Sequence, residues 1–239
     1  MTATPALRLD WCSHAAARYA VEHWHYSRCM PTPPLVKIGV WEVGSFVGCI
    51  LFSRGSNNNQ LLPYGLQQTE GCELTRVALT THRTAVSRLL AIAIKLLRTI
   101  ATGLRLIVSY ADPNHRHHGG IYQAAGWFYM GQTAPDRQYI DRAGRVWHRR
   151  QVSHTGVKRQ YGSRRQVPKH RDCLKVPLQG KHRYVYPLDA AMRAQLLPLA
   201  QPYPKRAPSS AGAAPTDLAG EGGSSPTGAL QLMQDVHYE

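Results

Sequence analysis

Apolar and polar residues alternate along Glu73-Leu74-Thr75-Arg76-Val77-Ala78-Leu79, which predicts a half-buried strand with Arg76 facing away from Val77 and Leu79. After the polar turn Thr80-Thr81-His82-Arg83, the residues Val86, Leu89, Leu90, Ala93, Leu97 and Ile100 recur at helical spacing. They predict an amphipathic helix of about five turns with Thr81 or Thr84 as N-cap. Gly103 stops it, and the apolar run Leu104 to Tyr110 reads as a strand covered on both faces. Ile121 to Ala125 predicts a short helix ending at Gly126, followed by a strand from Trp127 to Met130. Upstream, Leu35–Val43 and Phe46–Ser53 predict a hairpin turning at Gly44-Ser45.

This arrangement sets the run Tyr110-Ala111-Asp112-Pro113-Asn114-His115-Arg116-His117-His118 at the C-terminal end of a strand, where α/β folds build sites. Imidazole and carboxylate together suit iron or zinc, although no 2-His-1-carboxylate spacing singles out a metal. Gly-flanked histidines also serve simply to hydrogen-bond loops or phosphates.

Charge narrows the partner. The chain carries 29 Lys and Arg against 14 acids, a formal +15 over 239 residues, which favours a polyanion through phosphate contacts and counterion release. The excess is local: Arg142 to Arg183 holds thirteen Lys/Arg and one acid, Asp172, with Trp147, Tyr161, Tyr184 and Tyr186 interleaved as stacking or core aromatics. Arg149, Arg150, Lys158, Arg159, Arg164, Arg165, Lys181 and Arg183 are the expected nucleic-acid contacts, the alternative being a solvated basic face. Five cysteines without a C-x-x-C pair argue against a disulfide framework or a thiolate zinc site. Neither a signal peptide nor a run of 18 apolar residues is visible, so a soluble cytoplasmic protein is expected. From Pro202 to Glu239 the composition turns to Pro, Ala, Gly and Ser, predicting a disordered tail with a short docking helix at Leu230–Val236.

The order of strand, turn, long helix, strand, short helix and Gly-aromatic strand resembles the acyl-CoA-binding half of the GNAT acetyltransferase superfamily, and Tyr122 to Trp127 resembles its Tyr-x-x-x-Gly-aromatic ending. That resemblance implies an α/β (α+β) fold: a mixed, mostly antiparallel central sheet flanked by helices, with a basic C-terminal extension. The expected division is a catalytic core over 1–153, a basic nucleic-acid-binding extension over 154–201 and the tail over 202–239.

A narrower resemblance rests on Glu22-His23-Trp24-His25-Tyr26-Ser27-Arg28-Cys29-Met30-Pro31, on Glu73-Leu74-Thr75-Arg76, on Tyr110-Ala111-Asp112 with His117 to Ala124, and on Gly180 to Tyr186. Together these resemble the Mom family of bacteriophages, GNAT-like proteins that give adenine N6 in phage DNA a carbamoylmethyl group and so shield it from host restriction. The resemblance implies a double-stranded DNA substrate with a flipped adenine, action in the cytoplasm of the infected bacterium, and Fe2+ as a possible cofactor.

Adenine N6 is a poor nucleophile held inside a base pair, so chemistry on it needs base extrusion, a proton acceptor and an activated donor. Asp112 is the expected acceptor, Tyr26 the stacking or acid/base residue, and His25 a base. His25, Tyr26, Asp112 and His118 are the candidate ligands of any metal. Each also has a plain structural reading: a core tyrosine, a turn-setting aspartate before Pro113, satisfied histidines. For the donor, Arg76, Arg83, Thr84, Ser87 and Tyr122 are the expected contacts. The superfamily pattern Arg/Gln-x-x-Gly-x-Gly/Ala is replaced here by His82-Arg83-Thr84-Ala85-Val86-Ser87, without glycine, so acetyl-CoA and other acyl donors, an aminoacyl one among them, are both admissible. Plain acyl transfer would leave an amide at N6, whereas the family's product joins N6 to a methylene carbon. The alternative function is a GNAT N-acetyltransferase acting on protein or RNA amines.

Overall fold

The computed structural model describes residues 6–55, 57–160 and 162–205. Strand β1 (Leu7–Trp11) leads into α1 (His14–Trp24), whose N-cap Ser13 accepts a hydrogen bond from Ala16 N at 3.1 Å. The hairpin β2 (Leu35–Glu42) and β3 (Ser45–Ser53) follows, then β4 (Gly71–Leu79), α2 (Val86–Ile100), β5 (Leu106–Ala111), α3 (Gly120–Ala124) and β6 (Phe128–Gln132). The hairpin and the run from β4 to β6 are the elements that periodicity predicts; β1 and α1 are not among them. The rest, β7 (Asp136–Asp141), β8 (Val146–His148), β9 (Val157–Gln160), β10 (Ser163–Gln166), β11 (Cys173–Leu178), β12 (His182–Pro187) and α4 (Ala190–Leu196), carries little apolar pattern to announce it.

Two local expectations are corrected. The hairpin turns on Val43 and Gly44, at φ 50° and 78°, rather than on Gly44-Ser45, because Glu42 pairs with Ser45 and a two-residue loop of this kind needs positive φ at both positions. Helix α2 begins at Ala85, which has no side chain to cap it, and neither threonine serves. Glu42, from a distant strand, instead holds the turn that leads into the helix: its carboxylate accepts from the backbone N–H groups of Arg83 and Thr84, each at 2.7 Å.

The seven-stranded sheet runs β1-β2-β3-β4-β5-β12-β6, antiparallel throughout except for β4 and β5, and so is the mixed, mostly antiparallel sheet expected. Both faces are covered. Ile50 and Phe52 of β3 pack with Leu89, Leu90, Ala93 and Leu97 of α2, while the alternate residues Cys49 and Leu51 meet Ala17, Ala20 and Val21 of α1. This explains the continuous apolar character of β3. On the same side as α1, α4 closes the far end with Met192 and Leu196 against Val108 and Val185.

The parallel pair is short. Only Gly71–Glu73 and Leu106–Val108 are in register; beyond them β4 and β5 separate and the sheet forks. A bulge in β4 helps to bend it away: the register with β3 slips between Leu51 and Phe52, and Thr75 Oγ1 donates to Leu51 O at 3.1 Å. At the root of the fork Ser109 Oγ donates to Leu74 O at 2.7 Å and hydrogen-bonds the Tyr122 hydroxyl at 2.8 Å.

Residues 154–201 are divided between two places. The hairpin β9–β10 and strand β11, which pairs with β7 in the separate sheet β11-β7-β8, lie off the main sheet, whereas β12 is an inner strand of it, between β5 and β6. Tyr203 donates to Trp127 O at 2.8 Å; residues 206–239, including Leu230–Val236 of the expected tail, lie outside the described residues, as does Tyr161. No helix among the described residues is long and apolar enough to cross a membrane.

Candidate active site

The fork between β4 and β5 is the mouth of a narrow cleft of about 80 Å3 lined by His25, Tyr26, Arg76, Tyr110, Asp112 and His117, with Tyr122 among the residues that close it. Its walls come from three places in the chain. Helix α1 ends at His25, whose backbone is already extended (φ −104°, ψ 136°), so His25 and Tyr26 leave the helix as the first residues of a loop. Strand β5 ends at Asp112. The loop after it curls back because His115 N and His117 N both donate to Asp112 O, at 3.0 and 3.1 Å. That curl turns the two imidazoles onto Tyr26: ring centroids lie 4.7 Å apart for His115 and 5.2 Å for His117, and His25 lies 4.3 Å from the same ring.

Asp112 is nearly buried. Its Oδ1 accepts from Asn114 N at 3.0 Å and Asn114 Nδ2 at 2.8 Å, and Oδ2 lies 3.3 Å from Lys181 Nζ. Burial alone would raise its pKa; the Asn114 hydrogen bonds and the Lys181 charge outweigh it and hold the carboxyl below its ordinary value. Asp112 is therefore a carboxylate at neutral pH. Tyr26 moves the other way, burial pushing its phenol up so that it stays neutral.

His25 has a defined tautomer. The backbone N–H of Ser27 donates to His25 Nδ1 at 3.1 Å, and the Ser27 hydroxyl lies 2.8 Å from the same nitrogen. Burial, reinforced by the charges of Arg76, His117 and His115, brings its pKa down to about 3. A neutral ring whose Nδ1 accepts carries its proton on Nε2. His25 is thus a hydrogen-bond donor towards the cleft, and too weak a base to hold a proton near neutrality.

The other expected residues are distributed unevenly. Arg76 lines the cleft, but its guanidinium is turned to carbonyl oxygens: Nε and Nη2 donate to Cys29 O at 3.2 and 3.1 Å and Nη1 to Thr75 O at 2.7 Å, tying the loop after α1 to β4. The backbone groups of Arg83 and Thr84 are occupied by Glu42, which is itself buried and held below the ordinary carboxylate range; burial opposes this, and the hydrogen bonds of Thr84 and Arg83 prevail. Ser87 lies in the first turn of α2, just past the cleft-lining Val86. Tyr122 is buried, burial driving its phenol upward.

His118 does not line the cleft; its carbonyl accepts from the Tyr184 hydroxyl at 2.5 Å. Among the described residues no three His, Cys, Asp or Glu side chains gather closely enough to hold a metal ion. The donor set explains this misfit for His25, Tyr26, Asp112 and His118. A cation would have to displace Lys181 from Asp112 Oδ2, His25 turns Nδ1 to Ser27, and His118 is elsewhere.

Of the expected nucleic-acid contacts, Arg149 and Arg150 follow β8, Lys158 and Arg159 lie on β9, and Arg164 and Arg165 are exposed on β10. Two are corrected. Lys181 belongs to the cleft through Asp112, and Arg183 is half-buried on β12 beside Tyr64 and Tyr110. Lys181 gave the same signal as the other cations of the basic run, so only the chain's return to Asp112 distinguishes it. Glu42, Ser27 and Asn114 were missed, because nothing local marks a residue whose partner lies on another element or in its own turn.

Among solved structures, the chain resembles the N-acyl amino acid synthase FeeM from uncultured soil microbes, at 12% identity over 82% of this chain and 97% of that one with a TM-score of 0.44. It also resembles a Bacillus subtilis acetyltransferase in complex with CoA, at 11% identity over 78% of this chain and 100% of that one with a TM-score of 0.42. In sequence it is 26% identical over 208 residues to the methylcarbamoylase Mom of Escherichia phage Mu, covering 83% of this chain and 84% of that protein. The sequence model described as the Mom protein family matches residues 6–205, the great majority of the chain, and the chain belongs to the Mom protein family.

Proposed function

We propose that this protein is a transferase that adds a carbamoylmethyl group to adenine N6 in double-stranded DNA, on a base flipped into the cleft, and so protects phage DNA from restriction in the cytoplasm of the infected host. The observation that carries the reading is Asp112, an ionised carboxylate at the fork of the sheet, beside a tyrosine whose ring is flanked by three imidazoles. Likeness to a methylcarbamoylase supports the type of group transferred, and the +15 charge supports a DNA substrate.

Asp112 accepts a hydrogen bond and then the proton from the N6 amine, which raises the electron density on the nitrogen and makes it a better nucleophile as the N6–C bond forms and the donor's leaving group departs with its bonding pair. Tyr26 supplies a ring for the extruded base. Lys181 holds Asp112 in place and ionised. His25 offers its Nε2–H to a ring nitrogen of the base or to the donor's carbonyl oxygen. Because the product joins N6 to a methylene, the donor carries its leaving group on that methylene carbon, and the bond between them breaks as N6 attacks.

Acetyl transfer to protein or RNA amines is the less supported reading. In the turn before α2 the N–H groups of Arg83 and Thr84 already bind Glu42, so a pyrophosphate that uses them must displace a buried carboxylate.

The test is mass spectrometry of nucleosides from plasmid DNA grown with the protein. A deoxyadenosine heavier by one carbamoylmethyl group is expected with the wild type, with loss of at least about tenfold in Asp112→Asn and Tyr26→Ala. Unmodified DNA from cells holding folded wild-type protein would refute the reading.

A further inference from the structure

The sheet β11-β7-β8 is the floor of a second concavity, a wide basin of about 750 Å3. Five cations line it: Arg137 on β7, Arg149 and Arg150 in the turn after β8, Arg171 in the turn before β11, and Lys175 on β11; no acid lines it. Strand register explains the convergence, since Lys175 stands opposite Tyr139 and Arg137 shares Tyr139's face by alternation. The rim acids are matched elsewhere: Asp136 lies 3.2 Å from Arg149 and Asp172 lies 3.9 Å from Arg171, which leaves Arg137 and Lys175 facing the basin.

Rings complete the wall. His170 meets Tyr139 edge-on with centroids 5.0 Å apart and lies 4.4 Å from His154. Its Nδ1 is buried without a hydrogen-bond partner among the described residues. Five cations against two rim acids leave a surplus of positive charge whose self-repulsion a bound anion relieves, and planar guanidinium groups match phosphate oxygens two at a time. Rings beside such cations suit a phosphate that carries a base.

We propose that this basin is a second, non-catalytic DNA site that binds backbone phosphodiesters of the substrate next to the modified base; the inference rests on the DNA-modifying reading above. Its position relative to the cleft is fixed by one stretch of chain. After β11, Gln179 N donates to Asn114 Oδ1 at 3.0 Å and Lys181 reaches Asp112 at 3.3 Å. Lys175 precedes Lys181 by six residues, and at about 3.3 Å per residue the two are at most about 20 Å apart. With phosphates spaced about 3.4 Å along a strand, the basin holds one within about six nucleotides of the target adenine.

The experiment is the salt dependence of duplex binding, by fluorescence anisotropy, for the full chain, for Arg137→Ala/Lys175→Ala in the basin, and for Lys95→Ala/Arg98→Ala on the exposed face of α2. Both variants lose two positive charges at exposed positions. The basin variant is expected to reduce the slope of log K against log salt by about 1.8, at about 0.9 per phosphate contact, with the α2 variant keeping the wild-type slope. Equal slopes in the wild type and the basin variant, or equal losses in both variants, would overturn the site. A basin variant that binds duplex like the wild type but coenzyme A at least tenfold more weakly would assign the phosphate to the donor and also overturn it. A folded wild type that neither binds duplex nor alters plasmid adenine would instead remove the function on which the site rests.

Discussion

Replacing Glu42 tests how the cleft's main helix is held. Helix α2 has no side-chain cap of its own, and the turn that leads into it is held by one buried carboxylate with two 2.7 Å contacts to the backbone N–H groups of Arg83 and Thr84. Hydrogen bonds to a charged group contribute about 1.5–3 kcal/mol each, discounted here because Arg83 is at the surface and water can replace one contact, so Glu42→Ala is expected to cost about 2–3 kcal/mol. For a domain of this size that lowers Tm by about 4–12 °C. Glu42→Gln keeps one acceptor oxygen but turns an amide N–H2 towards the second donor, and is expected to lose about half as much. The pH dependence has a definite sign. Because the folded pKa of Glu42 lies below its ordinary value of 4.5, its contribution is fully present above that value and is lost as pH falls through the folded one. The Tm gap between wild type and Glu42→Gln, followed by circular dichroism, is therefore widest near pH 7 and closes in acid. A Glu42→Ala protein melting within about 1 °C of wild type at pH 7 would refute the reasoning.

His25 is expected to act as a stability switch in acid but not as the titrating catalyst. Its folded pKa of about 3 lies below the ordinary 6.5, so the unfolded chain takes up the proton first and stability falls as pH drops from 6.5 towards 3. His25→Gln should flatten Tm over that interval, and wild-type modification rates should show no limb that His25→Gln abolishes between pH 5 and 8; such a limb would contradict the Nε2–H tautomer. Gly119 has φ 87°, and a methyl group there would overlap the Tyr184 ring. Gly119→Ala is expected to cost about 2–4 kcal/mol by urea denaturation, from backbone strain and overpacking together, and a cost under about 0.5 kcal/mol would show that Tyr184 is free to move.

The elements that could be read from sequence are those whose side chains face a core. Ile50 and Phe52 look towards α2 while Cys49 and Leu51 look towards α1, and the stripe from Val86 to Leu97 can only be a helix face. Strands β7 to β11 escaped because their residues are charged or isolated and their pairing depends on distant partners, as with Lys175 opposite Tyr139. Strand β12 carries a motif but no strand pattern of its own: Tyr184 and Val185 fill opposite faces, which has meaning only once β12 is inserted between β5 and β6. In the site, the convergence of His25, Tyr26 and Asp112 was anticipated from motifs, whereas their protonation states were not. Those depend on Ser27, Asn114 and Lys181, each supplying a contact that no spacing rule encodes.

Those states bear on why an adenine amine suits this cleft. On the DNA-modifying reading, the fixed features are an ionised acceptor, Asp112, and two neutral groups with protons to donate, Tyr26 and the Nε2–H of His25. Adenine presents two N6 protons beside the lone pair of N1, a donor edge for Asp112 with an acceptor next to it. Guanine presents O6 and an N1 proton at the same edge, so its oxygen would meet the carboxylate lone pair to lone pair. In a nearly buried site that mismatch leaves a charge uncompensated, at about 1–3 kcal/mol or more. The Asn114 and Lys181 contacts hold Asp112 in its acceptor-only form, so selection for adenine and activation of its amine come from the same carboxylate.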